Sequence, residues 1–152
     1  MTQKTIIIWG AGKSGRGFVA DIFQAAGYRI VLVDASATLI TKLREAGRYT
    51  IVRAESADRR QDVVIDDFTA LSTTQINDVA NAIVAADILA VAVFPQEFTQ
   101  VAQQLATAIA HRQSKRPDVP LDILLCANLA HAGPQFYDLL KEASSPVSGG
   151  CL

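Results

Sequence analysis

IIIWGAGKSGRGF, residues 6–18, carries an apolar run straight into four glycines within eight positions, Gly10, Gly12, Gly15 and Gly17. A strand, a tight turn and a helix start is the reading that accounts for both halves. The alternation continues along the chain. Nearly unbroken apolar runs recur at TIIIW (5–9), RIVLVD (29–34), DILAVAVF (87–94) and LDILLC (121–126). Such runs are expected of parallel strands covered on both faces. Between them lie stripes at helical spacing: Phe18, Val19, Ile22, Phe23 and Ala26, ended by Gly27, then residues 36–46, ended by Gly47. Phe98, Val101, Ala102, Leu105 and Ile109 form another, and residues 130–143 a last helix. The region 49–72 is less regular. YTIVRA and DVVIDDF read there as two short strands joined through ESADRRQ, a small hairpin inserted in a crossover. HRQSKRPDVP (111–120) reads as a helix end and solvated loop, its cations complementing that helix's own C-terminus. The fold expected is α/β: a Rossmann-type, doubly wound, mainly parallel sheet over residues 1–143, with 144–152 as a tail.

Composition narrows the function classes. At 152 residues the chain has the size of one domain, and half of it is hydrophobic, so a true core is available. Fourteen Lys and Arg against 15 Asp and Glu leave a formal charge of −1, no field for tracking nucleic acid. The longest apolar runs fall far short of the roughly 18–20 residues of a membrane helix. No cleavable leader precedes the first strand, so no membrane role and a cytoplasmic location are expected. Cys126 sits in an apolar run and Cys151 in the tail, without the close spacing of a zinc or redox pair. Both read as free thiols, Cys126 as a small core residue, and no metal site is expected.

Each glycine of GAGKSG meets a separate demand of a strand-to-helix turn over a dinucleotide. Gly10 allows the tight turn, Gly12 lets the backbone approach the pyrophosphate, and Gly15 lets helix and strand pack closely. The new helix aims free N–H groups and its positive end at the phosphates, so Ala11, Lys13 and Ser14 also border the expected site. Asp34 closes the second apolar run 19 residues after Gly15, where a carboxylate would bond the adenosine ribose. A carboxylate beside a 2′-phosphate would oppose like charges, which favours NAD over NADP, and ASA rather than an arginine follows. Two plainer readings stand beside these: a glycine turn serving only packing, and Asp34 as the cap of the helix near Ser36. A triphosphatase phosphate loop does not fit, because residue 8 is Ile. Lys13 reads instead as a solvated residue close to the cofactor.

The longer string GAGKSGRGF, with Arg16, Gly17 and Phe18, resembles the amino-terminal domain of the mannitol-1-phosphate 5-dehydrogenase and long-chain polyol dehydrogenase family. LDILLCANLAHAGPQFYDLL and the AVFPQEF turn resemble it too, so the likeness spans almost the whole chain. Ala127 replaces the glutamate of that family's Cys-Glu-Asn motif, and Phe94 stands where it often has glycine. The resemblance implies that Gly10, Gly12, Gly15, Arg16 and Asp34 surround NAD, with Asn128 near its nicotinamide end. Phe94 and Asn128 both follow strand ends, where a ligand lies in such sheets. Phe94 reads equally as a cofactor-flanking ring or a core or capping aromatic, and Asn128 as a site residue or a turn asparagine. His131 reads as a surface or structural histidine.

In the resembled family a carboxyl-terminal domain supplies the substrate pocket and the catalytic lysine. No catalytic residue is therefore assigned in this chain, and the expectation is NAD binding with little turnover unless such a domain joins it. The activity implied is oxidation of a secondary alcohol of a polyol such as mannitol 1-phosphate to the ketose. Two other classes remain: a free-standing dinucleotide sensor, and an S-adenosylmethionine-dependent methyltransferase. An apolar docking patch, and hence self-association, is also expected.

Overall fold

The computed structural model describes residues 2–145. The expected tail, with Cys151, lies almost wholly outside the described residues. Seven strands and five α-helices follow in the order β1 (Thr5–Trp9), α1 (Ala20–Ala25), β2 (Arg29–Asp34), α2 (Ala37–Ala46), β3 (Tyr49–Ser56), β4 (Arg59–Ile65), β5 (Phe68–Ser72), α3 (Ile76–Ala85), β6 (Ile88–Val91), α4 (Phe98–Lys115), β7 (Asp122–Leu125) and α5 (Ala132–Ser144). A π-helical turn, Lys13–Val19, leads into α1, and a 3₁₀ turn, Pro95–Glu97, leads into α4. Five strands form one parallel sheet in the order β5-β2-β1-β6-β7, while β3 and β4 pair antiparallel as a separate ribbon. The Rossmann-type sheet and the inserted hairpin are both present.

β1 lies at the centre because its residues are apolar on both sides. Ile6 and Ile8 join the core under α1 and α2, whereas Ile7 and Trp9 join the core under α3, α4 and α5. Side chains of a strand alternate between faces, so a continuous apolar run is what a doubly covered strand requires. Ile6, Ile7 and Ile8 are fully buried, and each such side chain contributes about 1.5–3 kcal/mol of transfer free energy. From β1 the chain moves to β2 on one side and later to β6 on the other. That reversal opens a crevice at the carboxyl ends of β1 and β6.

Several sequence expectations need correction. DVVIDDF is not one strand: β4 ends at Ile65, and Phe68 begins β5, a parallel edge strand of the main sheet. The following helix, α3, was not foreseen. DILAVAVF contributes only Ile88–Val91 to the sheet. In the helix after the glycine loop, Val19 and Ala20 face inward, but Phe18 is 69% and Ile22 50% exposed. The cause is the π-helical turn, in which the Ala20 N–H reaches back five residues to the Gly15 carbonyl. A turn that wide shifts the buried face relative to 3.6-residue spacing.

The cations of 111–120 also behave differently from the expectation. Arg112 is 3% exposed, and its Nη1 donates to the carbonyls of Ile83, Val84 and Ala86 at 2.7, 2.9 and 2.8 Å. Arg116 Nη1 adds a bond to the Val84 carbonyl at 2.9 Å. They cap α3, the neighbouring helix, whose last carbonyls have no intrahelical partner. Replacing Arg112 by Met keeps an apolar stem and strands those buried carbonyls, so the variant is expected to lose about 1–3 kcal/mol. A urea midpoint equal to the parent's would show that the carbonyls find other partners.

Candidate functional site

Gly10 and Gly15 are glycines for reasons internal to the protein. Gly10 has φ of 102°, and a Cβ there would lie 2.4 Å from the Ala92 carbonyl oxygen on the strand side of the crevice. A Cβ on Gly15 would lie 1.8 Å from the Gly10 carbonyl oxygen. Helix start and strand end are therefore in backbone contact. Gly12 is different: φ is −72°, and a Cβ would meet nothing within 4 Å. Neither backbone conformation nor packing within the chain calls for glycine at that position. Packing alone thus accounts for two of the three glycines, and Gly12 faces open space.

That space is a cavity of about 510 Å³ between the Gly12–Ser14 backbone, the Phe94–Pro95 turn and Asn128. Lys13, Ser14 and Asn128 are exposed at its rim. Phe94 is 70% exposed, so its ring is a wall of the cavity rather than part of the core. Its backbone N–H donates to Glu97 Oε2 at 3.0 Å, which starts the 3₁₀ turn. Cys126 borders the same cavity and is half-buried; burial pushes its thiol pKa up, away from the reactive thiolate. A second, smaller hollow of about 50 Å³ lies beyond Gly10, against Asp34, Val93, Glu97 and Gln100, with Trp9 in its wall. The loop therefore has a recess on either side. His131 is exposed and in the left-handed region, φ 58°, at the start of α5. It borders neither recess.

Asp34 is held from two directions. Oδ2 accepts from the Ala11 N–H and Oδ1 from the Ser36 N–H, both at 2.8 Å. Asp34 does not cap α2, because Ser36 is the N-cap and its own hydroxyl accepts from the Leu39 N–H at 3.2 Å. Ionised carboxylate oxygens have about four lone-pair sites, so two remain for hydroxyl donors. Arg16 closes the other side of the loop: Nη1 donates to the Ala11 carbonyl at 2.7 Å. Gly12, Lys13, Ser14, Phe94 and Asn128 thus border the larger recess and Gly10 and Asp34 the smaller, while Arg16 lines neither and braces the loop between them. Glu97, Gln100 and Tyr49, whose hydroxyl donates to the Arg16 carbonyl at 2.8 Å, were not foreseen. For Tyr49 the one sequence signal was alternation with Ile51 and Arg53 on a single face of β3.

Among the described residues no group of three or more His, Cys, Asp or Glu could hold a metal ion. No described helix is long and apolar enough to cross a membrane. Free amides beside an acidic strand end, opposite an amide side chain, suit a dinucleotide: phosphate at the helix start, ribose at the acid.

Comparison with known proteins agrees with that geometry. Residues 4–148 match the family described as mannitol dehydrogenase Rossmann domain. Relatives include mannitol-1-phosphate 5-dehydrogenases from Enterococcus faecalis, 34% identical over 80% of this chain and 31% of the relative, and from Arthrobacter sp., 34% identical over 93% and 36%. That of Pyrenophora tritici-repentis is 30% identical over 94% of this chain and 36% of its own. The chain spans about a third of the length of the curated relatives it matches. In fold it is similar to glycerol-3-phosphate dehydrogenase from Coxiella burnetii, TM-score 0.61 at 13% identity, covering 95% of this chain and 38% of that one. The TrkA-N domain of an Escherichia coli inner membrane protein is also similar, TM-score 0.51 at 17% identity, covering 95% and 84%. A Rossmann domain of a dehydrogenase family implies a dinucleotide cofactor. The methyltransferase alternative takes no support from these matches. The chain belongs to the mannitol dehydrogenase family and is its Rossmann, dinucleotide-binding domain.

Proposed function

We propose that the chain binds NAD(H) in the crevice at the β1–β6 switch point, and that Gly12 is the observation that carries this reading. A glycine required by neither conformation nor packing, set against a cavity, is explained by a ligand that approaches the backbone more closely than a Cβ allows. The pyrophosphate would lie on the Gly12, Lys13, Ser14 and Gly15 amides, with Gly10 and Ala11 forming the turn beneath. Asp34 would bond the adenosine ribose, Arg16 would hold the loop, and Phe94 and Asn128 would flank the nicotinamide half. NAD is favoured over NADP because a 2′-phosphate would meet the Asp34 carboxylate.

The nicotinamide, when bound, accepts or donates hydride. What this chain's residues do is bind and orient it and exclude water from one face. The substrate class proposed from the relatives is a polyol phosphate resembling mannitol 1-phosphate, oxidised at a secondary alcohol to the ketose. No proton-transfer role is assigned to a residue of the site, and the substrate-holding part is placed in the remaining two thirds of the relatives' length.

Trp9, the single tryptophan, borders the recess beside Gly10 and Asp34 and reports on its occupancy. Titration is expected to give saturable quenching by NADH, weaker binding of NADPH, and loss of that preference in Asp34→Ala. Equal affinity for both cofactors in the parent would remove the role given to Asp34, and no binding of either, checked by calorimetry, would remove the dinucleotide reading.

The glycines supply a second test. Gly12→Ala fits its backbone and should leave stability unchanged or raise it by about 0.4–1 kcal/mol, while weakening NADH at least tenfold. Gly15→Ala should lower the unfolding midpoint even without ligand. NADH affinity unchanged in Gly12→Ala would place the ligand elsewhere.

A further inference from the structure

The β3–β4 ribbon belongs to neither the sheet nor the crevice, yet every polar contact it makes with the rest of the fold described above converges on the segment that follows the glycine loop. Arg53 Nε donates to Asp21 Oδ2 at 2.7 Å, and Arg53 Nη2 pairs with Oδ1 of the same carboxylate. Gln24 Nε2 donates to the Val64 carbonyl at 3.1 Å. Tyr49 reaches furthest forward, its hydroxyl donating to the Arg16 carbonyl at 2.8 Å. Burial raises the Tyr49 pKa well above its ordinary value, so the phenol is a donor at any physiological pH. Its ring packs on Phe68, centroids 5.5 Å apart.

Arg16 is consequently gripped twice. Its side chain bonds back to the Ala11 carbonyl inside the loop, and its main chain is held by the ribbon. The residue lies in the π-helical turn Lys13–Val19, KSGRGFV. Long π-helical turns are rare, and a segment containing two glycines has little intrinsic stiffness. Nothing in that local sequence favours the wide turn over an ordinary α-helical one, so its shape depends on contacts from outside.

We propose that Tyr49 is a positioning residue for the cofactor loop, its phenol fixing the Arg16 carbonyl so that the wide turn presents the Lys13, Ser14 and Gly15 amides to the pyrophosphate. This rests on the dinucleotide reading above. Tyr49 touches no part of the crevice and acts through Arg16. The hairpin is thereby a brace for the phosphate end of the site, and the adenosine end, built on β2 and the α4 approach, does not depend on it.

Tyr49→Phe keeps the ring against Phe68 and removes only the donor. Calorimetric titration with NADH and with adenosine, on parent and variant, separates the two ends of the site. The variant is expected to bind NADH about 3- to 10-fold more weakly, to bind adenosine as the parent does, and to show faster hydrogen exchange without ligand at the Arg16 and Ala20 amides, which are bonded to the Gly12 and Gly15 carbonyls. Arg53→Gln, which loosens the ribbon but leaves the phenol, should shift NADH affinity the same way by less, and it serves if Tyr49→Phe does not fold. Unchanged NADH affinity in both variants, or equal proportional losses for NADH and adenosine, would overturn the proposal. A parent that binds neither ligand would overturn the dinucleotide reading itself, while the exchange rates would still report whether the phenol holds the turn.

Discussion

The backbone contact between Gly15 and Gly10 is the constraint on which the rest depends. With no side chain on either residue, the helix start lies directly on the end of the central strand. A methyl group at residue 15 would have to push the two apart, and with them the core under α1. Because the contact holds, the first free amides of the helix open into the crevice between β1 and β6. Burial of β1 fixes where the strand ends, and that ending fixes where the amides point.

The two ends of the sheet are finished in opposite ways. At the carboxyl ends the strands run out into glycine, the Phe94–Pro95 turn and Asn128, leaving recesses and unpaired donors. At the other end Arg112 fills the space with a buried guanidinium that satisfies three carbonyls at once. Carbonyl-rich helix ends attract cations, and the three oxygens offset part of the cost of burying this guanidinium, whose pKa burial lowers while the Asp87 carboxylate raises it. Polar backbone is closed off where the fold needs stability and left open where a ligand can use it.

Much of this was legible in the chain. The strands β1, β2 and β6 announce themselves because strands buried on both faces need unbroken apolar runs, and the loop because its glycines follow one of them; β7 has the same apolar run but lies at the sheet edge with Leu124 exposed, so double cover was the wrong expectation there. β5 was obscured because Phe68 directly follows Asp66 and Asp67, so its apolar start merged with the end of β4. The inward face after the loop was misread for a different reason: periodicity arguments assume 3.6 residues per turn, and Lys13–Val19 does not obey that spacing. Arg112 looked like one more surface cation because its partners, at 83–86, belong to another helix. Tyr49 is the same kind of case, since its role depends on where the excursion Tyr49–Ile65 folds back, and no local pattern contains that information.

The two bonds on Asp34 have a further consequence for the economy of binding. Its carboxylate is immobilised by the Ala11 and Ser36 amides before any ligand arrives. Each side chain that must be frozen on association costs on the order of 0.5–1.5 kcal/mol. Here that ordering is completed during folding, so the entropy is spent once, when the chain folds, and not again at every encounter. The same arrangement makes length matter more than charge at this position: a glutamate would carry the same anion on an extra rotatable bond and would have to be ordered anew each time.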